Sequence, residues 1–400
     1  MGTVNGRPLR VLAADDSAVM RGIMHKLFEK HGGDAASELP RMELCGVARD
    51  GVECLESVKL LTPDVLVLDL EMPRMNGLDV LDRLRVESPG LPVIMCSAHT
   101  EHGARSTLEA LARGAADYVM KPGGQRDVAA ALESLAQQLL PKIAVLATNC
   151  GGKKTGGSIQ STSAQKPGLI EAQGHAPIEV VVIGLSTGGP SALEQMLPKL
   201  PANFPVPILI VQHMPKLFTG ALAERLNKCC ALRVEEAYED AMVRPGVVWL
   251  APGDAHMEVA PRKMMMGESA GRGGRVRLHR QAPLNHCMPA VDYLFFSAAR
   301  MYGPGALALV MTGMGSDGLD GARAVHERGG MVLAQDEATS AVWGMPGRVT
   351  QAGIVSATLP VTAIADVLQQ RVNAGRAVKP EPAQHAAALV PRREVMHGMY

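Results

Sequence analysis

Short apolar runs recur along the chain, separated by segments in which apolar residues fall three and four apart. In the first third, "RVLAA", "DVLVLDL", "PVIMCSA" and "ADYVM" read as buried strands, and "MELCGVA" as a weaker one. Helical spacing runs from Ser17 to Lys30, Val52 to Leu60, Leu78 to Val86 and Ala104 to Ala112. Strands that are apolar on both faces, alternating with amphipathic helices, predict a parallel sheet covered on both sides. The alternation stops and then resumes at residue 178, with "EVVVIGL", "PVPILIVQ", "GVVWLA", "ALALVMTG" and "GMVLAQ" as further strands.

The break is compositional. Residues 149–177 are rich in Gly, Ser, Thr, Gln and Lys and carry no apolar period, which predicts a flexible linker. Segment 31–43, "HGGDAASELPRME", reads as an extended loop, and the Ala-, Pro- and charge-rich stretch after residue 374 as a mobile tail. The pattern therefore predicts an α/β protein of two doubly wound parallel-sheet domains. They span residues 8–140 and 178–374, joined by a flexible linker over 141–177 and followed by a disordered tail over 375–400.

Length and composition fit that plan. A chain of 400 residues has room for two domains, and 47% hydrophobic with 20% charged residues is the balance of a soluble globular protein. Forty basic and forty acidic residues cancel, which leaves no electrostatic footprint for nucleic acid. The second half also lacks a basic recognition helix, so a DNA-binding regulator is disfavoured. Arg272, Arg275, Arg277 and Arg280 lie in a Gly-rich stretch and read as a solvated hairpin. The seven cysteines are odd in number and form no C-x-x-C pair, which points to a reducing compartment. No apolar signal core opens the chain, and no run reaches the ~18 residues of a membrane span. The expectation is a cytoplasmic protein without membrane insertion.

Candidate chemistry sits at strand ends. Asp15 and Asp16 follow the first strand, Asp69 ends the third, Ser97 the fourth, and Lys121 the fifth. In an open parallel sheet these carboxyl ends converge on one edge. A single Asp at a strand end is usually a cap or turn residue. The whole set, each member after its own strand, carries more information. Clustered carboxylates repel unless a cation joins them, and all-oxygen ligation suits Mg²⁺. A lysine beside them balances charge and can hold a phosphoryl oxygen.

"DDSAVMR", "LDLEMPRMNGLD", "CSA" and "DYVMKP" make residues 9–135 resemble a two-component response-regulator receiver domain, with its flavodoxin-like fold. The resemblance implies that Asp69 accepts phosphate from a histidine kinase. It implies Mg²⁺ held by Asp15, Asp16 and Asp69, with the Glu71 carbonyl as a further ligand. Ser97 and Tyr118 match the switch hydroxyl and switch aromatic, and Lys121 the phosphate-binding lysine. An aspartyl phosphate adds roughly −1.5 to −2 units of charge, enough to bias a two-state element.

In the second half, "VIGLSTGGPSA" (residues 182–192) contains G-x-S-x-G at 184–188. It fits a nucleophile elbow that presents Ser186, a phosphate loop, or a plain strand-to-helix turn. No Lys-Ser or Lys-Thr follows, which weakens the phosphate loop, and the middle glycine of a dinucleotide fingerprint is missing. A nucleophilic serine needs a base. His213 ends the next apolar run, whereas His256 and His286 follow less regular segments. The base needs an orienting carboxylate. Asp317 and Asp320 both lie in "TGMGSDGLDG", and Asp317 is nearer the strand. Backbone amides after Ser186, starting with Thr187, and those of Gly313, Met314 and Gly315 are candidate oxyanion donors. The order Ser–His–Asp differs from the Ser–Asp–His order of α/β-hydrolases.

"VIGLSTGGPSAL", "VQHMP", "APGDAHMEV", "MPAVDYLFFSAA", "VMTGMGSDGLDGA" and "AQDEATSAVWGMPG" resemble the catalytic domain of the chemotaxis protein-glutamate methylesterase (CheB) family, with its Rossmann-like fold. The resemblance implies Ser186 as nucleophile, His213 as base and Asp317 as its partner, with no cofactor for ester hydrolysis. It implies cleavage of glutamate γ-methyl esters on chemoreceptor helices with release of methanol, and deamidation of receptor glutamines. Phosphorylation of the receiver by a chemotaxis kinase would relieve occlusion of the catalytic face of a monomeric enzyme. The alternative is a non-catalytic, phosphorylation-gated adaptor.

Overall fold

The computed structural model describes residues 7–32, 39–122, 128–150, 176–262 and 273–374. The expected tail, most of the linker, Arg272 and the centre of the 31–43 loop lie outside them.

The first domain runs β1 (Leu9–Ala14), α1 (Ala18–His31), β2 (Met42–Ala48), α2 (Gly51–Leu61), β3 (Val65–Asp69), α3 (Gly77–Glu87), β4 (Val93–Ser97), α4 (Glu101–Ala112), β5 (Asp117–Met120) and α5 (Val128–Cys150). A polar side chain caps each of the first four helices: Ser17, Asp50, Asn76 and Thr100 each accept an orphan amide of the first turn. The strands pair in parallel in the order β2-β1-β3-β4-β5. Chain direction reverses at β1 and β3, so the crevice of the sheet opens at their carboxyl ends, beside Asp15 and Asp69.

Helix α5 departs from expectation. It passes through Pro141 and continues to Cys150, well into the segment expected as linker. A proline inside a helix removes a hydrogen bond and clashes with the preceding turn. Apolar spacing outweighs that cost here: Leu139, Leu140, Ile143, Ala144, Leu146 and Ala147 are all buried.

The second domain runs β6 (Val180–Leu185), α6 (Gly189–Met196), β7 (Ile208–Gln212), α7 (Lys216–Cys229), β8 (Arg233–Glu236), β9 (Met242–Val243), β10 (Val247–Leu250), β11 (His256–Pro261), β12 (Gly274–His279), α8 (Val291–Tyr302), β13 (Ala306–Val310), α9 (Leu319–Glu327), β14 (Met331–Gln335), α10 (Met345–Gln351), β15 (Ala357–Leu359) and α11 (Val361–Asn373). Seven strands form a parallel sheet in the order β15-β14-β13-β6-β7-β10-β8. Strand β6 is central, flanked by β7 and β13, which makes it the switch point of this sheet.

A second, antiparallel sheet, β11-β12-β9, was not foreseen. Its β12 sequence, "GRVRLH", alternates: Val276 is buried, while Arg275 and Arg277 alternate with it. The arginine-rich stretch is a hairpin as expected, yet its arginines are engaged. Arg275 reaches Asp240 at 2.5 Å, Arg277 reaches Glu258 at 2.5 Å, and Arg280 donates to the Asp254 carbonyl at 3.3 Å.

The two domains share packing. Leu108 and Tyr118 of the receiver side belong to one apolar cluster with Phe218 and Leu222 of α7. A second cluster joins Leu132, Leu135 and Leu139 of α5 to Val342 and Met314. The Tyr118 and Phe218 rings stack with centroids 4.6 Å apart.

Candidate active site and phosphoacceptor site

At the receiver crevice, Lys121 Nζ lies 2.7 Å from Asp69 Oδ2 and 2.9 Å from Asp15 Oδ2. Asp69 Oδ1 accepts the Leu70 amide at 2.8 Å, and Asp15 Oδ1 accepts that of Ser17 at 2.9 Å. Burial pushes the Asp69 carboxyl up; Lys121 opposes this and Asp15 adds to it, leaving a value of about 6. One oxygen each from Asp15, Asp16 and Asp69 lies within 4.8 Å of the others. Asp15 Oδ2 is buried, with the Lys121 ammonium beside it. Three carboxylates this close, offset by a single lysine, form an all-oxygen set that fits a hard divalent cation. The expected switch residues point elsewhere. Ser97 is fully buried and accepts a hydrogen bond from Thr107 Oγ1 at 2.7 Å, and Tyr118 stacks on the other domain.

His213 and Asp317 meet, and Ser186 lies at the same sheet edge, because each follows one of three adjacent strands, β6, β7 and β13. Asp317 Oδ2 lies 2.7 Å from His213 Nε2. The aspartate also accepts the amides of Val291 (2.6 Å), Asp292 (3.2 Å) and Gly318 (3.0 Å), and the Asn285 side chain (3.2 Å). Burial opposes its charge, but His213 and these donors hold the carboxyl below its ordinary value. Burial likewise pulls the His213 imidazole down. The Asp317 contact, with Cys287, outweighs it and pushes the ring up to about 10. Asp320 instead pairs with Arg323 on the exposed face of α9.

No hydrogen bond joins Ser186 Oγ to His213 among the described residues. The second ring nitrogen, Nδ1, faces Cys287 Sγ at 3.6 Å. Catalytic hydrogen bonds often tighten only in the Michaelis complex. The left-handed torsion of the turn falls on Gly188 (φ 77°), two residues after the serine. A Cβ there would meet Ala341 Cβ at 2.5 Å, so the position is restricted to glycine by both torsion and space. Ser186 itself is anchored by its amide on the Thr312 carbonyl (2.9 Å) and by Gln212 Nε2 on its carbonyl (2.9 Å).

The amides divide cleanly. Gly313 donates to the Val342 carbonyl at 2.9 Å, which removes it from the oxyanion candidates. The amides of Thr187, Met314 and Gly315 donate to no acceptor among the described residues. Of the other histidines, His286 is exposed, and His256 is fully buried with Nδ1 accepting the Ala290 amide at 3.1 Å.

The receiver grips Thr187 and Met314. Thr187 Oγ1 donates to Asp117 Oδ2 at 2.6 Å. Asp117 also pairs with Lys142 (2.9 Å), which donates to the Tyr118 carbonyl (2.7 Å). Met314 packs against the α5 cluster. Ser191 Oγ donates to the Leu111 carbonyl (3.0 Å), and Arg105 pairs with Glu224 (3.3 Å) at the rim. Sequence reading missed Asp117, Asn285, Cys287 and Asp292. A carboxylate inside an apolar helix face ("AVDYLFF") or starting a buried strand ("DYVM") was the available signal, since buried charge is rare without a partner. Burial raises the Asp292 carboxyl, with the Asp317 charge adding to that against the Gly321 amide.

A phosphoacceptor-type receiver packed on an α/β domain with a histidine–aspartate pair beside an elbow serine defines a class: a receiver-coupled hydrolase. Comparison with known proteins gives the family. Residues 11–133 match the response regulator receiver domain, and residues 181–368 match CheB methylesterase. A protein-glutamate methylesterase/protein-glutamine glutaminase of Trichodesmium erythraeum is 40% identical over 91% of this chain and 99% of its own length. One from a Nocardioides species is 41% identical over 91% and 95%. The Thermotoga maritima CheB methylesterase catalytic domain is 40% identical, covering 49% of this chain and 99% of its own, with a TM-score of 0.45. The chain belongs to the protein-glutamate methylesterase/protein-glutamine glutaminase family. No described helix is long and apolar enough to cross a membrane.

Proposed function

We propose that this protein is a phosphorylation-gated serine esterase that hydrolyses glutamate γ-methyl esters on chemoreceptors and deamidates receptor glutamines in the cytoplasm. The observation that carries the reading is the His213–Asp317 pair at the same sheet edge as Ser186, with the unpaired amides of Thr187 and Met314 alongside. Ser186 Oγ attacks the ester carbonyl and His213 takes its proton. Because Nε2 is held by Asp317, the accepting nitrogen is Nδ1. The amides of Thr187 and Met314 hold the oxyanion. Methanol leaves with the proton from His213, and water then attacks the acyl-enzyme by the same route. One oxyanion donor is typically worth roughly 10²–10³-fold and general acid–base action roughly 10²–10⁴-fold.

A chemotaxis histidine kinase supplies the phosphoryl group to Asp69. Asp15, Asp16 and Asp69 would hold Mg²⁺, with the Glu71 carbonyl, and Lys121 would bind a phosphoryl oxygen. The ion would supply charge neutralisation for the transfer. Added charge at Asp69 draws Lys121 and Ser97 and frees Tyr118 from Phe218, which loosens the receiver from Thr187 and Met314. The adaptor alternative is not favoured, since relatives aligned over nearly their whole length are named as enzymes. The test is single-turnover methanol release from methyl-labelled receptor. Ser186→Ala should abolish it, and equal release by wild type and variant sinks the esterase reading.

A further inference from the structure

The side of the His213 ring turned away from Asp317 meets a thiol. Cys287 lies in a turn pinned by reciprocal backbone hydrogen bonds with Leu284 (3.2 and 2.9 Å). Its Sγ is 3.6 Å from His213 Nδ1. A tetrahedral Zn²⁺, with bonds of about 2.3 Å to sulfur and about 2.0 Å to nitrogen, sets those two atoms about 3.5 Å apart. The observed spacing is therefore that of one edge of a zinc coordination tetrahedron. Behind the ring, Asp317 Oδ2 accepts from Nε2 at 2.7 Å. That is the carboxylate–histidine–metal arrangement, in which the carboxylate fixes the tautomer and leaves the other nitrogen's lone pair for the cation. Four further donors hold Asp317, so the ring orientation is set in advance. One His213 nitrogen, Cys287 Sγ and one Asp317 oxygen all fall within 4.8 Å of each other. The thiol is partly exposed, which gives a cation a way in.

The donor chemistry separates this cluster from the receiver crevice. Three carboxylates select a hard cation, whereas thiolate plus imidazole selects a softer one. We propose that Cys287 and His213, with Asp317 behind the ring, bind Zn²⁺ and that the bound ion reversibly silences the esterase. Binding replaces the S–H bond by S–Zn and releases the thiol proton to water, with no change in oxidation state. Solvent fills the remaining positions. The ion occupies Nδ1, the nitrogen that takes the serine proton, so zinc and catalysis exclude each other. The effect on rate rests on the proposed role of His213 as base; the binding does not.

The test uses the full chain in excess Mg²⁺, which saturates the receiver carboxylates, with Cys229→Ser and Cys230→Ser removing the accessible pair of thiols at the end of α7. Zinc binding is followed by calorimetry, Co²⁺ serves as the spectroscopic probe for a thiolate ligand, and methanol release is measured in parallel. The parent should bind one Zn²⁺, show a thiolate–Co²⁺ absorption band, and lose at least about tenfold in rate until a chelator is added. Cys287→Ala and the size-preserving Cys287→Ser should each weaken zinc at least about tenfold and abolish the band and the inhibition. Unchanged zinc affinity in both variants, or no thiolate band in the parent, overturns the site. Full hydrolysis with zinc bound overturns the silencing. A zinc-free parent that releases no methanol counts against the esterase reading instead, while calorimetry and the cobalt band still decide the site.

Discussion

Replacing Asp117 by Asn alters one contact between the domains while keeping the side chain's shape. In the native chain its Oδ2 accepts from Thr187 Oγ1 at 2.6 Å, and its Oδ1 accepts from the Tyr118 amide at 2.8 Å. Both Asp117 and Thr187 are nearly inaccessible, so this hydrogen bond is shielded from water. A hydrogen bond to a charged group is worth about 1.5–3 kcal/mol net. If that energy favours the docked arrangement alone, its loss shifts docking by roughly 10- to 100-fold. The unphosphorylated variant should then hydrolyse receptor ester about tenfold or more faster than wild type, up to the rate of the fully released enzyme. The rate with saturating phosphodonor should change little. Thr187→Ser keeps the hydroxyl and should behave like wild type, which separates the lost bond from general damage. The assay is initial-rate methanol release with and without a small-molecule phosphodonor, on protein whose thermal unfolding is checked in parallel. A folded Asp117→Asn protein whose basal rate stays at the wild-type level would refute the idea that this contact holds the enzyme closed.

Other outcomes are equally open to measurement. Asp69→Asn should take up no acyl phosphate and show no stimulation by phosphodonor; full stimulation contradicts gating through Asp69. Because Asp317 holds the imidazole protonated to higher pH, the base form of His213 gains as pH rises, and the rate should climb between about pH 7 and about pH 9. Asp317→Asn should lower the rate on the order of 10⁴-fold and move this limb to lower pH; a pH-independent wild-type rate over that range argues against His213 as base. Gly188→Ala forces a side chain onto a left-handed torsion against Ala341, and should cost more than about 1 kcal/mol of stability by denaturant titration as well as activity.

The inner strands of the parallel sheets were legible because they are buried on both faces and read as unbroken apolar runs; the edge strands β8 and β15, short and partly exposed, were not. The phosphoacceptor group was legible for a related reason: each member ends its own strand, and strand ends converge. The antiparallel sheet was not, since β9 is two residues long and β12 spreads three polar side chains across six positions. Asn285 and Cys287 reach the site from a turn without periodicity. The true end of α5 was hidden by Pro141, whose local cost is offset by packing that only the folded core supplies. The division of amides, with Gly313 occupied and Met314 free, depends on where the Val342 carbonyl lies, which no local pattern encodes.

The hold of the receiver on Thr187 and Met314 has a thermodynamic corollary. On the proposed gating, phosphate at one site and a receptor helix at the other compete with the same docked arrangement. Coupling of this kind is reciprocal for binding equilibria. A receptor segment occupying the catalytic face must therefore favour phosphorylation at Asp69 by the factor with which phosphorylation favours receptor binding. An enzyme engaged on its substrate would hold its phosphoryl group at lower free energy than one adrift in solution. The activating signal would thus concentrate on the molecules already at work.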